Sequence, residues 1–260
     1  SIDFTGGQVL TVQFNDEKPH AVEVQTALAK IGLSSAKVRT LYGTSANQYM
    51  ISMQSDNASG ESRVKAKVEE ALKNAGIQAE IVNEEVIGPS IGKELRLDAI
   101  LAVLAALVVI VLYIWVRFGK VGLGFGVGAV VALLHDVIIT LGVFALTGIP
   151  IDAALIAAVL TIVGYSLNDT IVVYDRIREN TEFMGSESYE AKVNKSVNQS
   201  LSRTIITSVT TFFVTIVLAF RGGSSIQDFG IAMSVGVVVG TWSSICIASP
   251  FVVWWAARFK

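Results

Sequence analysis

TIVGYSLNDTIVVYDRIREN, residues 161–180, opens as an apolar helix and closes as a charged one. Asn168 and Asp169 sit in its middle among Leu, Ile, Val and Tyr. An aspartate at the centre of a bilayer costs about 2.5–3.5 kcal/mol on insertion scales. Asp169 is therefore expected to face the interior of a helix bundle. A carboxylate whose pKa is pulled up by burial and down by a cation can load and release a proton. A neutral aspartate bonded to a neighbouring helix is the plainer alternative.

The rest of the chain supports a membrane setting. Hydrophobic residues make up 52% of the 260 positions and charged residues only 16%, against about 25% charged in an ordinary soluble domain. The deficit is uneven. Residues 1–92 read as a soluble domain, and residues 93–260 as long apolar runs broken by short polar loops. Five spans are predicted, at 100–116, 121–146, 151–174, 205–220 and 229–257; against the roughly 20 residues a hydrocarbon core requires, the first and fourth are a little short and the fifth is long enough to tilt. A net charge of -2 argues against a nucleic-acid partner. The one cysteine, Cys246, cannot form an intrachain disulfide.

In the soluble part, alternation of apolar and polar residues predicts strands at 8–14, 37–42, 48–54 and 80–86. Helical spacing predicts helices at 22–31 and 61–74. Gly43, Ser45 and Asn47 mark the turn between the middle strands. The order is β-α-β-β-α-β, so a small α+β ferredoxin-like domain is expected. Gly88, Pro89 and Gly92 join it to the first span and read as a joint about which it could swing.

Loop charges orient the spans. Arg117, Lys120, Arg176, Arg178, Lys192, Lys195, Arg203, Arg258 and Lys260 fall on one side, which is predicted to be cytoplasmic. The soluble domain then lies outside the cytoplasm. Its export requires a signal upstream, so a first transmembrane helix is expected before Ser1. Tyr189, Val193, Val197 and Leu201 recur every fourth residue and Ser186 can cap them, which predicts a cytoplasmic amphipathic helix over 187–201 lying on the membrane surface. Gly122, Gly124, Gly126 and Gly128, with Gly236 and Gly240, are spaced for close helix packing in lipid.

Arg203, at the cytoplasmic entry to the fourth span, is the cation expected to serve Asp169. A stripe follows it at spacings of three and four, formed by Thr204, Thr207, Ser208, Thr211 and Thr215. Its hydroxyls can hold water or relay hydrogen bonds. His135 and Asp136 lie side by side in the second span and one of them is expected in the polar core. Asn168 is expected to orient Asp169 or to meet a facing helix. Thus Asn168, His135, Asp136, Thr207 and Thr211 are candidate supports. Two membrane aspartates, Asp136 and Asp169, would also suit an intramembrane aspartyl protease, although their Leu-His-Asp and Leu-Asn-Asp contexts differ from the motifs of such enzymes.

IDFTGG (2–7), LLHDVIIT (133–140), IVGYSLNDTIVVYDRIREN (162–180) and SRTIITS (202–208) together closely resemble the SecF family, and the likeness runs over the whole chain. The resemblance implies a resistance-nodulation-division type half-bundle that pairs with SecD in the bacterial inner (cytoplasmic) membrane. It implies an accessory role at the SecYEG translocon, acting late on an unfolded preprotein and drawing on the proton-motive force. YajC and YidC are further partners in this expectation. It assigns Asp169 and Arg203 to the proton pathway. A separate SecF and the SecF half of a fused SecDF both fit. Neither residues nor resemblance implies an enzymatic reaction, a cofactor or a metal. A proton-coupled transporter of the same superfamily and a passive scaffold are the competing readings.

Overall fold

The structure, a computed structural model, describes residues 1–259 apart from 16–17, 42–46, 55–60 and 119–122. Gly43, Ser45, Lys120, Gly122 and Lys260 thus lie outside the described residues. The chain divides into two compact units. One comprises Ser1–Leu101, Ile151–Ala154 and Leu218–Asp228; the other comprises Ala102–Pro150, Leu155–Val217 and Phe229–Lys260.

The first unit contains α1 (Ile2–Thr5), β1 (Gly7–Phe14), α2 (Ala21–Lys30), β2 (Lys37–Thr40), β3 (Gln48–Met53), α3 (Glu61–Asn74) and β4 (Ala79–Ile87). The strands form one antiparallel sheet in the order β2-β3-β1-β4. This is the ferredoxin-like arrangement, with β3 inserted between the strands that α2 connects. Register follows the apolar alternation: Leu10 pairs with Ile51 and Val12 with Tyr49. These side chains pack with Val24 and Leu28 of α2 and Val68 and Leu72 of α3. Each such side chain contributes about 1.5–3 kcal/mol when fully buried. The central strand β1 also buries Gln8 and Thr11, and Gln8 Nε2 donates to Glu84 Oε1 at 2.6 Å.

The joint after β4 is not open. Helix α4 (Pro89–Phe118) begins with Pro89, a residue suited to a first helical position because it lacks an N–H to leave unpaired. Gly92 is already helical, and a Cβ there would lie 2.8 Å from Gly6 N and 3.2 Å from Phe4 C. The expected swivel at Gly92 is instead a tight seat of α4 on the IDFTGG segment. Two further polar contacts close this unit. Asp3 Oδ2 accepts from Ala153 N at 2.8 Å, and Arg39 Nη1 pairs with Asp228 Oδ1 at 2.9 Å.

The bundle is built from α4, α5 (Leu123–Thr147), α6 (Ala153–Phe183), α7 (Tyr189–Arg221), α8 (Gly223–Ser243), a π-helical stretch (Ser244–Ala248) and α9 (Ser249–Phe259). Among the described residues five helices are long and apolar enough to cross a membrane, the last running from Ile226 to Phe259. The lead-in 93–98 is continuous with the first span rather than separate from it.

One expectation fails. The surface helix at 187–201 and the span at 205–220 are a single helix, α7, of 33 residues. Nothing between Ser202 and Thr204 breaks a helix, and the predicted stripe has a protein partner. Val193 is buried with Val173 and Ile177 of α6, and Tyr189 and Val197 pack on the same cluster. Asn180 Nδ2 donates to Ser196 Oγ at 2.8 Å and to Gln199 Oε1 at 2.9 Å. The cap is Ser188, whose Oγ accepts from Ala191 N, not Ser186. With 31 residues in α6 at about 1.5 Å each, this α6–α7 hairpin outruns a hydrocarbon core of about 30 Å.

The α7–α8 turn uses Gly223 with φ of 69°, a left-handed conformation that costs glycine little. The π stretch comes just before Pro250, whose missing N–H leaves a carbonyl of the preceding turn without its helical donor. Ser249 Oγ donates to Ser244 O at 2.9 Å and Tyr174 OH to Ala248 O at 3.1 Å, so the widened turn is satisfied from outside the ladder.

Candidate functional site

The polar core begins with close backbone packing. On α8, Gly236 faces the Ile162 side chain of α6, and one turn on a Cβ at Gly240 would lie 3.0 Å from Ser166 Cβ. A larger residue at Gly236 would displace the Ile162 side chain, and one at Gly240 would press on Ser166 Cβ and, at 3.5 Å, its Cα. The Gly236–Gly240 spacing therefore does what its sequence pattern predicts. It brings hydroxyls of α6 and α8 within reach of a carboxylate on α5.

That carboxylate is Asp136, which is 0% exposed. Its Oδ2 accepts from Ser166 Oγ at 2.5 Å and from Ser243 Oγ at 2.8 Å, and its Oδ1 lies 3.0 Å from His135 Nδ1. Three helices therefore meet on one side chain. The adjacent residue of α6 points to a second cluster: Tyr165 OH donates to Ser208 Oγ of α7 at 3.2 Å, and Thr241 Oγ1 of α8 donates to the same oxygen at 2.6 Å. Further along, Ser234 Oγ donates to Thr215 Oγ1 at 3.1 Å.

Asp169 lies on the buried side of α6 and is 4% exposed. No hydrogen-bond partner reaches its Oδ2 among the described residues. Thr204 of α7 is buried as well, and its Oγ1 is also without a partner there. Arg203 is exposed, and among the described residues it forms no ion pair within 4.0 Å.

The other sequence candidates divide. His135 and Asp136 both enter the polar core. Thr207 and Thr211 turn their hydroxyls back on their own helix, to Arg203 O and Thr204 O and to Thr207 O respectively, as serine and threonine in helices often do. Asn168 is exposed. Ser166, Tyr165, Thr241 and Ser243 escaped the sequence reading, because a hydroxyl in an apolar helix usually bonds its own backbone and carries no signal of its own. At the charged end, Arg117 of α4 pairs with Asp175 of α6. Among the described residues no group of three or more His, Cys, Asp or Glu could hold a metal ion.

Comparisons with known proteins agree on a family. The family model described as protein export membrane protein SecD/SecF, C-terminal, matches residues 67–258. The protein translocase subunit SecF of Desulfurispirillum indicum is 41% identical over 262 residues, which cover 99% of this chain and 82% of that protein. The protein translocase subunit SecDF of Thermus thermophilus is 41% identical over 265 residues, covering 100% of this chain and 35% of that protein. The crystal structure of SecDF from Thermus thermophilus, described as a translocon-associated membrane protein, superimposes with a TM-score of 0.85 at 39% identity, over 99% of this chain and 34% of that one. A resistance-nodulation-division type half-bundle carrying a small four-stranded domain is thus the fold, in a multi-pass membrane protein. The chain belongs to the SecF family of protein translocase subunits.

Proposed function

We propose that this chain works with a SecD partner as a proton-driven accessory subunit of Sec protein export. Asp169 carries the proton and Arg203 serves as its counter-charge. The observation that carries the reading is the Asp169 carboxylate itself. It is buried on α6, the helix that also carries Ser166 and Tyr165, and among the described residues its Oδ2 has no hydrogen-bond partner. A buried polar atom without a partner is costly, and we assign the proton as what Asp169 takes up. When Asp169 gains or loses that proton, the packing of α6 changes and the bundle repacks.

The partner reading has its own support. The exposed face of α6 carries Ala157, Thr161, Gly164 and Asn168, small and polar side chains that suit another helix better than lipid. We assign this face to SecD. The SecF and SecDF names of the relatives support the SecYEG translocon as the machine served, with YajC and YidC as accessory contacts. The small domain lies on the outer side of the membrane, and the α6–α7 hairpin lies in the cytoplasm. An aspartyl protease would need two carboxyls sharing one water, whereas both oxygens of Asp136 are taken by Ser166, Ser243 and His135.

The test is preprotein translocation by vesicles of defined sidedness under an imposed proton gradient. Asp169→Asn keeps size and hydrogen bonding but cannot titrate. It is expected to leave the complex assembled and to remove the gradient-dependent part of transport. Wild-type transport by an assembled Asp169→Asn complex would make the subunit a passive scaffold.

A further inference from the structure

Asp136 is the point at which α5, α6 and α8 meet, and its two serine partners are placed to control the helix that carries Asp169. Ser166 stands three residues before Asp169, on the same side of α6. Its Oγ donates to Asp136 Oδ2 at 2.5 Å, and a Cβ at Gly240 of α8 would lie 3.0 Å from its Cβ. Between a carboxylate and a helix backbone, Ser166 leaves α6 little freedom to rotate. The second donor, Ser243, is the last residue of α8 before the π-helical stretch, so one carboxylate oxygen contacts both α6 and the start of the widened turn. Such π turns recur at functional sites.

We propose that Asp136 is a positioning residue for Asp169, acting through Ser166; the inference rests on the proton-coupled reading of Asp169 given above. An ionised carboxylate can accept from Ser166, Ser243 and His135 Nδ1 together, because it has lone pairs for all three. His135 is the titratable neighbour on α5, partly exposed and beside Trp242 with ring centroids 5.7 Å apart. From α6 come Tyr165, which is bonded to Ser208, and Asp169 itself. From α7 comes Arg203, and from the π stretch Cys246, which is exposed. Losing the Ser166 bond frees α6 to turn, and with it changes the surroundings in which Asp169 takes its proton.

The experiment measures gradient-driven preprotein translocation against pH in the assembled complex, for Ser166→Ala, Ser166→Thr, Asp136→Asn and Asp169→Asn. Ser166→Ala and Asp136→Asn are expected to displace the pH midpoint by about half a unit or more, roughly a threefold change in apparent proton affinity. Ser166→Thr, which keeps the hydroxyl, is expected to restore it. Asp136→Asn removes one of the two acceptor oxygens that Ser166, Ser243 and His135 share, and where it fails to assemble Ser166→Ala decides alone. A midpoint at the wild-type value in Ser166→Ala, with Asp169→Asn inactive, overturns the positioning role and leaves the proton-coupled reading standing. Wild-type transport in Asp169→Asn overturns both.

Discussion

Asp169 and Arg203 do not form a salt bridge. The carboxylate is buried on α6, the guanidinium is exposed on α7, and no contact within 4.0 Å joins them among the described residues. A charge acting over a distance is read as a charge, not as a fork of matched hydrogen bonds. Arg203→Lys should therefore keep most of the gradient-driven transport, within about threefold of wild type, which is less than 1 kcal/mol. Arg203→Met should lose it, because the charge is gone. A lysine variant as inactive as the methionine variant would mean that the guanidinium closes on Asp169 in another state of the cycle. Initial transport rates under a fixed gradient distinguish the two.

The α6 face formed by Ala157, Thr161, Gly164 and Asn168 gives a prediction about assembly. A large side chain at Gly164 would stand where a second helix is proposed to pack, and among the described residues nothing lies within 4 Å of a Cβ there. Gly164→Leu is thus expected to leave this chain folded but to reduce co-purification of SecD by about tenfold, a cost near 1.4 kcal/mol. Asn168→Leu should act in the same direction. Stoichiometric recovery of SecD with Gly164→Leu after mild extraction would move the partner to another face.

How legible this site was depends on what each residue does. The sheet domain is readable because Leu10, Val12 and Ile51 alternate with polar neighbours and the core uses that alternation directly. Asp169 is readable because a carboxylate in an apolar helix is costly. Asp136 is readable as a candidate but not as a hub, since its donors Ser166 and Ser243 come from helices 30 and 107 residues away. The surface helix at 187–201 was misread for a related reason. Its stripe of Tyr189, Val193 and Val197 is amphipathic in either setting, and only the length of α6 shows that a protein face is there to receive it. One residue turns a helix by about 100°, which puts Asn168 on the exposed face of α6 while Asp169 is buried, so of its two expected roles the meeting with a facing helix is the one that remains proposed.

The proposed sidedness can be tested directly. Ser35 of the small domain and Ser186 of the α6–α7 turn are both exposed. In a Cys246→Ser background each can be replaced by cysteine and challenged with an impermeant thiol reagent. Ser35→Cys is expected to label from outside intact spheroplasts, and Ser186→Cys only after the membrane is opened. The reverse pattern would invert the arrangement and remove the small domain from any contact with an emerging preprotein.

The Arg39–Asp228 pair ties β2 to the start of α8, and its energetics are asymmetric. The Asp228 side chain is 4% exposed and that of Arg39 is 20%. Removing the arginine strands a charge that water cannot reach, at a cost of about 3–5 kcal/mol. Removing the aspartate strands a cation that is partly solvated and that also has Met50 Sδ at 3.9 Å, so the loss is smaller. Replacing both by apolar residues of similar size removes the stranded charge altogether, and such exchanges are often neutral. The expected order of thermal midpoints in detergent is therefore Arg39→Met lowest, Asp228→Asn intermediate, and Arg39→Met with Asp228→Leu above Arg39→Met alone. If the double variant melts no higher than Arg39→Met, the pair is not an isolated buried ion pair. The contact would then contribute through packing of β2 against the α7–α8 turn, and its charge would be incidental.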